Sequence, residues 1–390
     1  MPASAGQCQG DDLRAYGLHR PRRGDCGLGG GTLDRDRGLS GSLGAGLPCW
    51  TAFADLPQAH GAPLGMGLLR VEPQDFRVSE VLGFTPMGEG DHCWLWVRKT
   101  GVNTEWVARR LAALSGLPVR DVGYAGLKDR WAVTEQWFSL PRKPGPEPDW
   151  GALAGEGIEV LAVHRHRRKL QRGALTGNRF HIRIRGVQID PQALAERVSA
   201  IRVRGVPNYF GEQRFGLDED NLRRAHALFV GDRRRATPHQ RGLWLSAVRA
   251  QLFNEVLAER VRRGDWDQPR AGDCLQLDGN RSFFCAEQID ETLFRRVLHC
   301  DLHPTGPLWG KGELPTRGAV QALELAVAAS LTPWPEGLAV QGLHQERRPL
   351  RLMAEGLVGE QVGDCLDLAF SLPRGGYATS LLRELIHWPV

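Results

Sequence analysis

From about Gly65 onward, hydrophobic residues recur at two spacings, and the changes of spacing mark the elements. Residues 67–82 (GLLRVEPQDFRVSEVL) read as two short extended runs joined through Pro73, and 92–99 (HCWLWVRK) as a buried strand. Val107, Leu111 and Leu114 follow at spacings of four and three, which predicts a helix capped by Asn103. Residues 132–140 are strand-like. In 179–185 (RFHIRIR), Phe180, Ile182 and Ile184 alternate with His181, Arg183 and Arg185, so one face meets a core and the other is cationic. A helix starts at Pro191.

Between about Gly205 and Arg351 the pattern turns helical, with helices over 250–261 and 319–331 separated by Gly/Pro-rich loops. Residues 365–386 return to an alternating strand, a Pro-Arg-Gly-Gly turn and a helix. Strand-rich flanks around a helix-rich middle predict one domain inserted into another. Residues 1–50 fit neither spacing and are rich in Gly, Arg and Asp, so they read as a disordered leader or a start codon set too far upstream. The GLGGGT run at 27–32 lacks the third glycine, the preceding strand and the following helix of a nucleotide loop.

Composition adds scale and charge. A chain of 390 residues with 42% hydrophobic and 24% charged positions exceeds what one core supports, which favours two domains. A net charge of +5 indicates a polyanionic partner only if the excess is concentrated. It is: residues 161–185 hold eight cations and no Asp or Glu. Such a run is either a solvated strand face or a track for phosphates, and the density and the lack of acids favour the track, with Arg167, Arg168 and Lys169 at its centre. His164 and His166 read as additional donors there. Eight scattered cysteines without a CxxC pair imply reduced thiols. No apolar run approaches a membrane span and no secretory signal pattern is present, so the expected location is the cytoplasm. His299 and His303 have the i, i+4 spacing of metal ligands, but Pro304 and the missing glutamate make them ordinary surface histidines, and no metal is expected. GPLWGKG at 306–312 is one residue short of a phosphate loop and has Gly312 where a hydroxyl should hold magnesium.

The densest candidate for chemistry is GYAGLKDRWAVTEQWFSL (123–140). Asp129 follows a glycine-containing turn, lies between Lys128 and Arg130 and precedes a strand, so flanking charge would hold its carboxylate ionised on a rigid support. Taken alone, an Asp between two cations is more often a surface ion pair. The segment does not stand alone. With HRHRRKLQRGALTGNRF (164–180), GVPNYFGEQRFG (205–216), GLLRVEPQDFRVSE (67–80) and PRGGYATSLLREL (373–385), it resembles the tRNA pseudouridine synthase D family from about residue 55 onward.

That resemblance implies a mixed α/β (α+β) fold with a central, mostly antiparallel sheet. It divides the chain into a catalytic domain over 51–204 and 352–390 and a helix-rich family-specific domain inserted over 205–351. It implies that Asp129 is the nucleophile and that Phe76, Asn178 and Tyr377 contact the substrate; Tyr377 departs from the Phe of the family. The implied substrate is tRNA, at uridine 13. Arg70 on the first extended run is the candidate basic partner for Asp129.

Turning uridine into its C-glycoside breaks one glycosidic bond, rotates the ring and rejoins it through C5, with no redox change, so no cofactor is required. A carboxylate can trap the intermediate at the sugar or at the base, and an elimination route is equally open. A stacked uridine must first be extruded, and aromatic faces restore part of the lost stacking. The chain is expected to act as a monomer. Two rivals remain: a noncatalytic RNA-binding protein, and a hydrolase that releases the free base.

Overall fold

The computed structural model describes residues 46–231 and 236–389. The GLGGGT run and residues 1–45 of the leader lie outside the described residues. Strands β1 (Leu68–Leu69), β2 (Phe76–Leu82), β3 (His92–Thr100), β4 (Gly123–Tyr124), β5 (Val133–Pro141), β6 (Ile158–His166) and β7 (Leu175–Arg185) come first. Helix α1 (Thr104–Ser115) lies between β3 and β4, and α2 (Pro191–Arg204) follows β7. The middle contributes β8 (Val206–Pro207), α3 (Asp220–Phe229), α4 (Pro238–Arg262), β9 (Cys274–Leu277), β10 (Phe283–Cys285), α5 (Glu291–Leu298), β11 (Leu302–Leu308), α6 (Gly318–Ser330), α7 (Trp334–Val340) and β12 (Glu346–Pro349). β13 (Arg351–Leu352), β14 (Glu355–Val362), β15 (Cys365–Pro373) and α8 (Ala378–Leu382) complete the order.

The nine-stranded main sheet runs β14-β15-β7-β2-β5-β3-β6, with β1 on β7 and β4 on β5. Only the β2–β5 pair is parallel, so the sheet is mixed and mostly antiparallel. Nine consecutive pairs from Cys365↔Arg185 to Pro373↔Gly177 bring β15 against β7, and with it the turn that carries Tyr377. One face of the sheet is apolar. Phe76, Val78, Phe180, Ile182 and Ile184 pack there against Leu194, Val198 and Ile201 of α2 and Leu381 of α8. Farther along the same face, Leu95, Val97 and Phe138 pack against Val107 and Leu111 of α1. Asn103 occupies the cap position of α1 as the spacing predicts, but its side chain makes no capping hydrogen bond.

The opposite face is where the cationic alternation of β7 goes, and there the sequence reading needs correction. Arg183 is paired with Asp367 (2.6 Å), Arg185 with Asp75 (2.8 Å), and Arg98 of β3 with Glu135 (3.0 Å). A concave surface of about 1070 Å³ lies over these pairs. For Arg183 and Arg185 the acids missing from 161–185 arrive from β15 and from the β1–β2 connection, so this end of β7 is neutralised within the protein.

Four further differences concern the middle and the front of the chain. The helix-rich middle also holds a four-stranded sheet, β10-β9-β11-β12. β11 is almost wholly buried and includes Pro304, Gly306 and Pro307, which erases the period-two signal of a strand. Cys274 and Cys285, expected as thiols, face each other across the β9–β10 ladder and form a disulfide, with Cα atoms 3.9 Å apart. His303 is not on the surface: it is 4% exposed, and it bridges Asp278 (2.9 Å) and Arg351 (3.1 Å). The packed structure also begins well before residue 65. Trp50 lies 5.3 Å from Trp334 and donates to Glu219 (2.7 Å), and Phe53 and Leu56 are 4% and 3% exposed in the core built on α4. Among the described residues, no helix is long and apolar enough to cross a membrane.

Candidate active site

Residue parity explains why a polar pocket interrupts an apolar sheet face. Val78 pairs with Thr134, Thr134 with Lys99, and Glu80 with Asn178, so these side chains share the face that carries Phe76 and Phe180. Between the patch covered by α2 and the patch covered by α1, the loop 125–131 lies over this polar strip. Lys99, 0% exposed, donates from Nζ to the main-chain oxygens of Asp129 (2.6 Å) and Val102 (2.9 Å). Thr104 Oγ1 accepts from the Lys128 amide (3.0 Å) and donates to Gln136 (2.9 Å), and Gln136 donates to Gly126 O (3.3 Å). The loop is therefore fixed by buried groups on three elements.

Its flanking cations do not serve Asp129. Lys128 pairs with the buried Glu80 (2.8 Å), and Arg130 donates to Gly101 O (3.2 Å), which corrects the sequence expectation. The partner is Arg70, whose Nη2 donates to Asp129 Oδ2 at 2.8 Å; the side chains are 28% and 34% exposed. Gln213 Nε2 donates to the other oxygen at 3.3 Å. Arg70 has a left-handed backbone, φ +59°, at a cost of about 1–2 kcal/mol for a residue with a Cβ. It is locked there by Trp131, whose indole donates to Arg70 O (3.1 Å), and its guanidinium lies 4.2 Å from the centre of the Phe76 ring.

Asp129, Arg70, Phe76, Asn178 and Tyr377 line one cavity of about 270 Å³, together with Gln213. Phe76 is 3% exposed and stands edge-on to Phe180, so it forms floor more than free platform. Tyr377 is half-buried, packs edge-on against Phe210 and accepts from Arg214 Nε (3.2 Å) through its hydroxyl. Asn178 Oδ1 is buried without a hydrogen-bond partner, as is Arg70 Nε. Buried polar atoms are nearly always paired, so these two mark where a ligand's polar groups fit.

Arg167, Arg168 and Lys169 do not line this cavity. Arg167 pairs with Glu89, and Lys169 donates to Arg120 O (2.6 Å). His166 packs at a tilt 4.3 Å from Trp94, accepts from the Met87 amide (3.4 Å) through Nδ1, and has its pKa lowered by burial, so it is not a free cation. Sequence reasoning missed Gln213 as a contact of Asp129, although it lies within the segment GVPNYFGEQRFG. It also missed Lys99, for which a charged residue at a strand end gives no local signal.

Burial pushes the Lys99 ammonium down to about 8, against the attraction of Asp129, which raises it. Its unfolded value is about 10.4, so between these limits the unfolded chain binds more protons than the native one. The contribution of Lys99 to stability is thus lowest below pH 8 and rises with pH toward 10, by at most ~3 kcal/mol. Denaturant unfolding of the wild type and of Lys99→Met, measured from pH 7 to 10, is expected to show this rise only in the wild type.

Comparison with known proteins identifies the family. The profile described as tRNA pseudouridine synthase D (TruD) matches residues 60–237 and 220–385. A tRNA pseudouridine synthase D of Methylococcus capsulatus is 48% identical over 350 residues, covering 88% of this chain and 99% of the relative. That of Nitrosococcus oceani is 50% identical over 327 residues, covering 83% and 91%. The crystal structure of a protein described as tRNA pseudouridine synthase D from Methanosarcina mazei superposes with a TM-score of 0.65 at 20% identity, covering 83% of this chain and 94% of that one, and it shares the fold. By its sequence profile and these relatives, the chain belongs to the tRNA pseudouridine synthase D family.

Proposed function

We propose that this chain isomerises uridine to pseudouridine in tRNA, at position 13, with Asp129 as the nucleophile. The observation that carries the reading is the Arg70–Asp129 pair at 2.8 Å, in a cavity that also holds the unpartnered Asn178 Oδ1 and the half-buried Tyr377. The uridine leaves its stack at a cost of a few kcal/mol and settles against Tyr377, with Phe76 beneath. Asn178 reads a polar edge of the base or a sugar hydroxyl. The N1–C1′ bond breaks, the ring turns, C5 joins C1′, and the C5 proton is lost while N1 gains one. Atoms and electrons balance within one nucleotide, so no cofactor enters. Attack at C1′ and addition to the ring both start from this carboxylate; the first releases it when C5 displaces it from C1′, the second when the C5 proton leaves and the ring double bond is restored. In the same reading, residues 205–351 are an inserted domain, and the enzyme acts as a monomer in the cytoplasm.

The test is to incubate the purified protein with unmodified tRNA and map each uridine. Pseudouridine is expected at position 13. Release of free uracil would select a base-releasing hydrolase, and tight binding without any change in the RNA would select a noncatalytic binder.

A further inference from the structure

We propose that a second, basic groove beside the loop of Asp129 holds the sugar–phosphate backbone of the RNA next to the target nucleotide. This inference rests on tRNA as the substrate and adds where the RNA lies. The groove has a volume of about 500 Å³ and is walled by Arg109 of α1, Arg120 of the short turn after it, and Lys169 and Arg172 of the segment between β6 and β7, with Tyr124 of β4 between them. Glu105 is the one acid on its lining. Arg109, Arg120 and Arg172 are exposed and Lys169 is half-buried.

Three observations single the groove out. The first is its unspent charge. Three of the eight cations in 161–185 are neutralised in the fold, Arg167 by Glu89, Arg183 by Asp367 and Arg185 by Asp75. Arg109, Arg120, Lys169 and Arg172 have no acidic partner among the described residues, and four cations facing one acid leave the groove with an excess of three positive charges. Phosphate binding draws its free energy from such unpaired cations through counterion release. The second is the aromatic floor: the Arg172 guanidinium lies 5.9 Å from the centre of the Tyr124 ring, and an exposed Arg beside an aromatic face suits a base or ribose alongside the phosphate. An acidic peptide would use the charge but not the ring.

The third is placement. Gly173 N donates to Ala125 O (2.7 Å), so the 169–172 wall is bonded to the start of the loop. At Gly123 a Cβ would stand 2.6 Å from Leu170 O, so glycine is what lets the two segments close. Tyr124 is five residues before Asp129, and a chain of that length spans at most ~18 Å. Backbone held in the groove therefore lies within a few nucleotides of the cavity.

The experiment uses the full chain with Arg109→Gln, Arg120→Gln and Arg172→Gln combined; Lys169 is kept because it bonds Arg120 O. tRNA affinity is measured against salt concentration, alongside steady-state pseudouridine formation. Losing three phosphate contacts is expected to reduce the slope of log K against log salt by ~2–3. KM is expected to rise at least tenfold near physiological salt, with kcat at saturating RNA unchanged. A control variant, Arg77→Gln with Arg179→Gln on the opposite face of the sheet, is expected to keep the wild-type slope. An unchanged slope in the triple variant, an equal loss of slope in the control, or binding of polyglutamate with an unaltered RNA slope would overturn the proposal. Binding needs no turnover, so a wild type that shows the expected slope yet forms no pseudouridine would sink the catalytic reading and leave the groove standing.

Discussion

Replacing Asp129 by Asn is expected to abolish pseudouridine formation while tRNA binding persists within a few fold. The substitution keeps shape and volume and removes only the charge and the nucleophilic oxygen. Arg70 and Asp129 are both about one-third exposed, so water screens the unpartnered guanidinium and the stability cost stays within ~1 kcal/mol. The rate cost is of another order. Removing the nucleophile of a covalent mechanism lowers kcat by ~10⁴-fold or more. Loss of tritium from C5 of uridine in tRNA measures the rate, filter binding measures the affinity, and thermal melting checks the fold. A variant that retains activity within tenfold of the wild type would remove Asp129 from the mechanism, and one that loses binding in parallel would recast it as an RNA contact.

The second large effect concerns the front of the described structure. A chain starting after residue 56 is expected to be far less stable than one starting after residue 45, because the segment between them belongs to the core. It carries Phe53 and Leu56, worth roughly 3–5 and 2–5 kcal/mol when a comparable side chain is removed from a core. It also carries the carbonyls of Phe53 and Leu56, which accept from the Arg383 guanidinium; Arg383 is 5% exposed, and losing these acceptors costs ~1–3 kcal/mol. The sum, at least ~6 kcal/mol, is comparable with the whole stability of a typical domain, ~5–15 kcal/mol. The shorter chain should be unfolded or melt at least ~10 °C lower. Melting temperatures within ~2 °C of each other would show that the contacts of Trp50, Phe53 and Leu56 contribute little.

Much of the main sheet was legible because its strands alternate cleanly. The period-two pattern of Phe180, Ile182 and Ile184 placed β7, and the three- and four-residue spacing of Val107, Leu111 and Leu114 placed α1. The second sheet was not legible, since β11 is buried on nearly every residue and is punctuated by prolines and a glycine. The packing of Trp50, assigned to the leader, and of Phe53 and Leu56 just after it was not legible because the three form no periodic run; each is held by partners more than 160 residues away, such as Glu219 for Trp50 and Arg383 for the Phe53 carbonyl.

For the site, the sequence by itself named the residues that the structure gathers around one cavity, since their identities sit in contiguous segments: Asp129 in GLKD, Phe76 in PQDF, Asn178 in LTGN and Tyr377 in the final turn. It also determined the face of each strand, because parity is a local property. Only the tertiary structure decided the electrostatics. Adjacent Lys128 and Arg130 pair elsewhere, Arg70 from 59 residues away took their place beside the Asp129 carboxylate, and acids from β15 and the β1–β2 connection neutralised the end of the basic run at Arg183 and Arg185. Charge acts through space over a few ångströms, and neighbours in a strand or loop point apart, so the pairing of charges is fixed by which distant segments the sheet brings together.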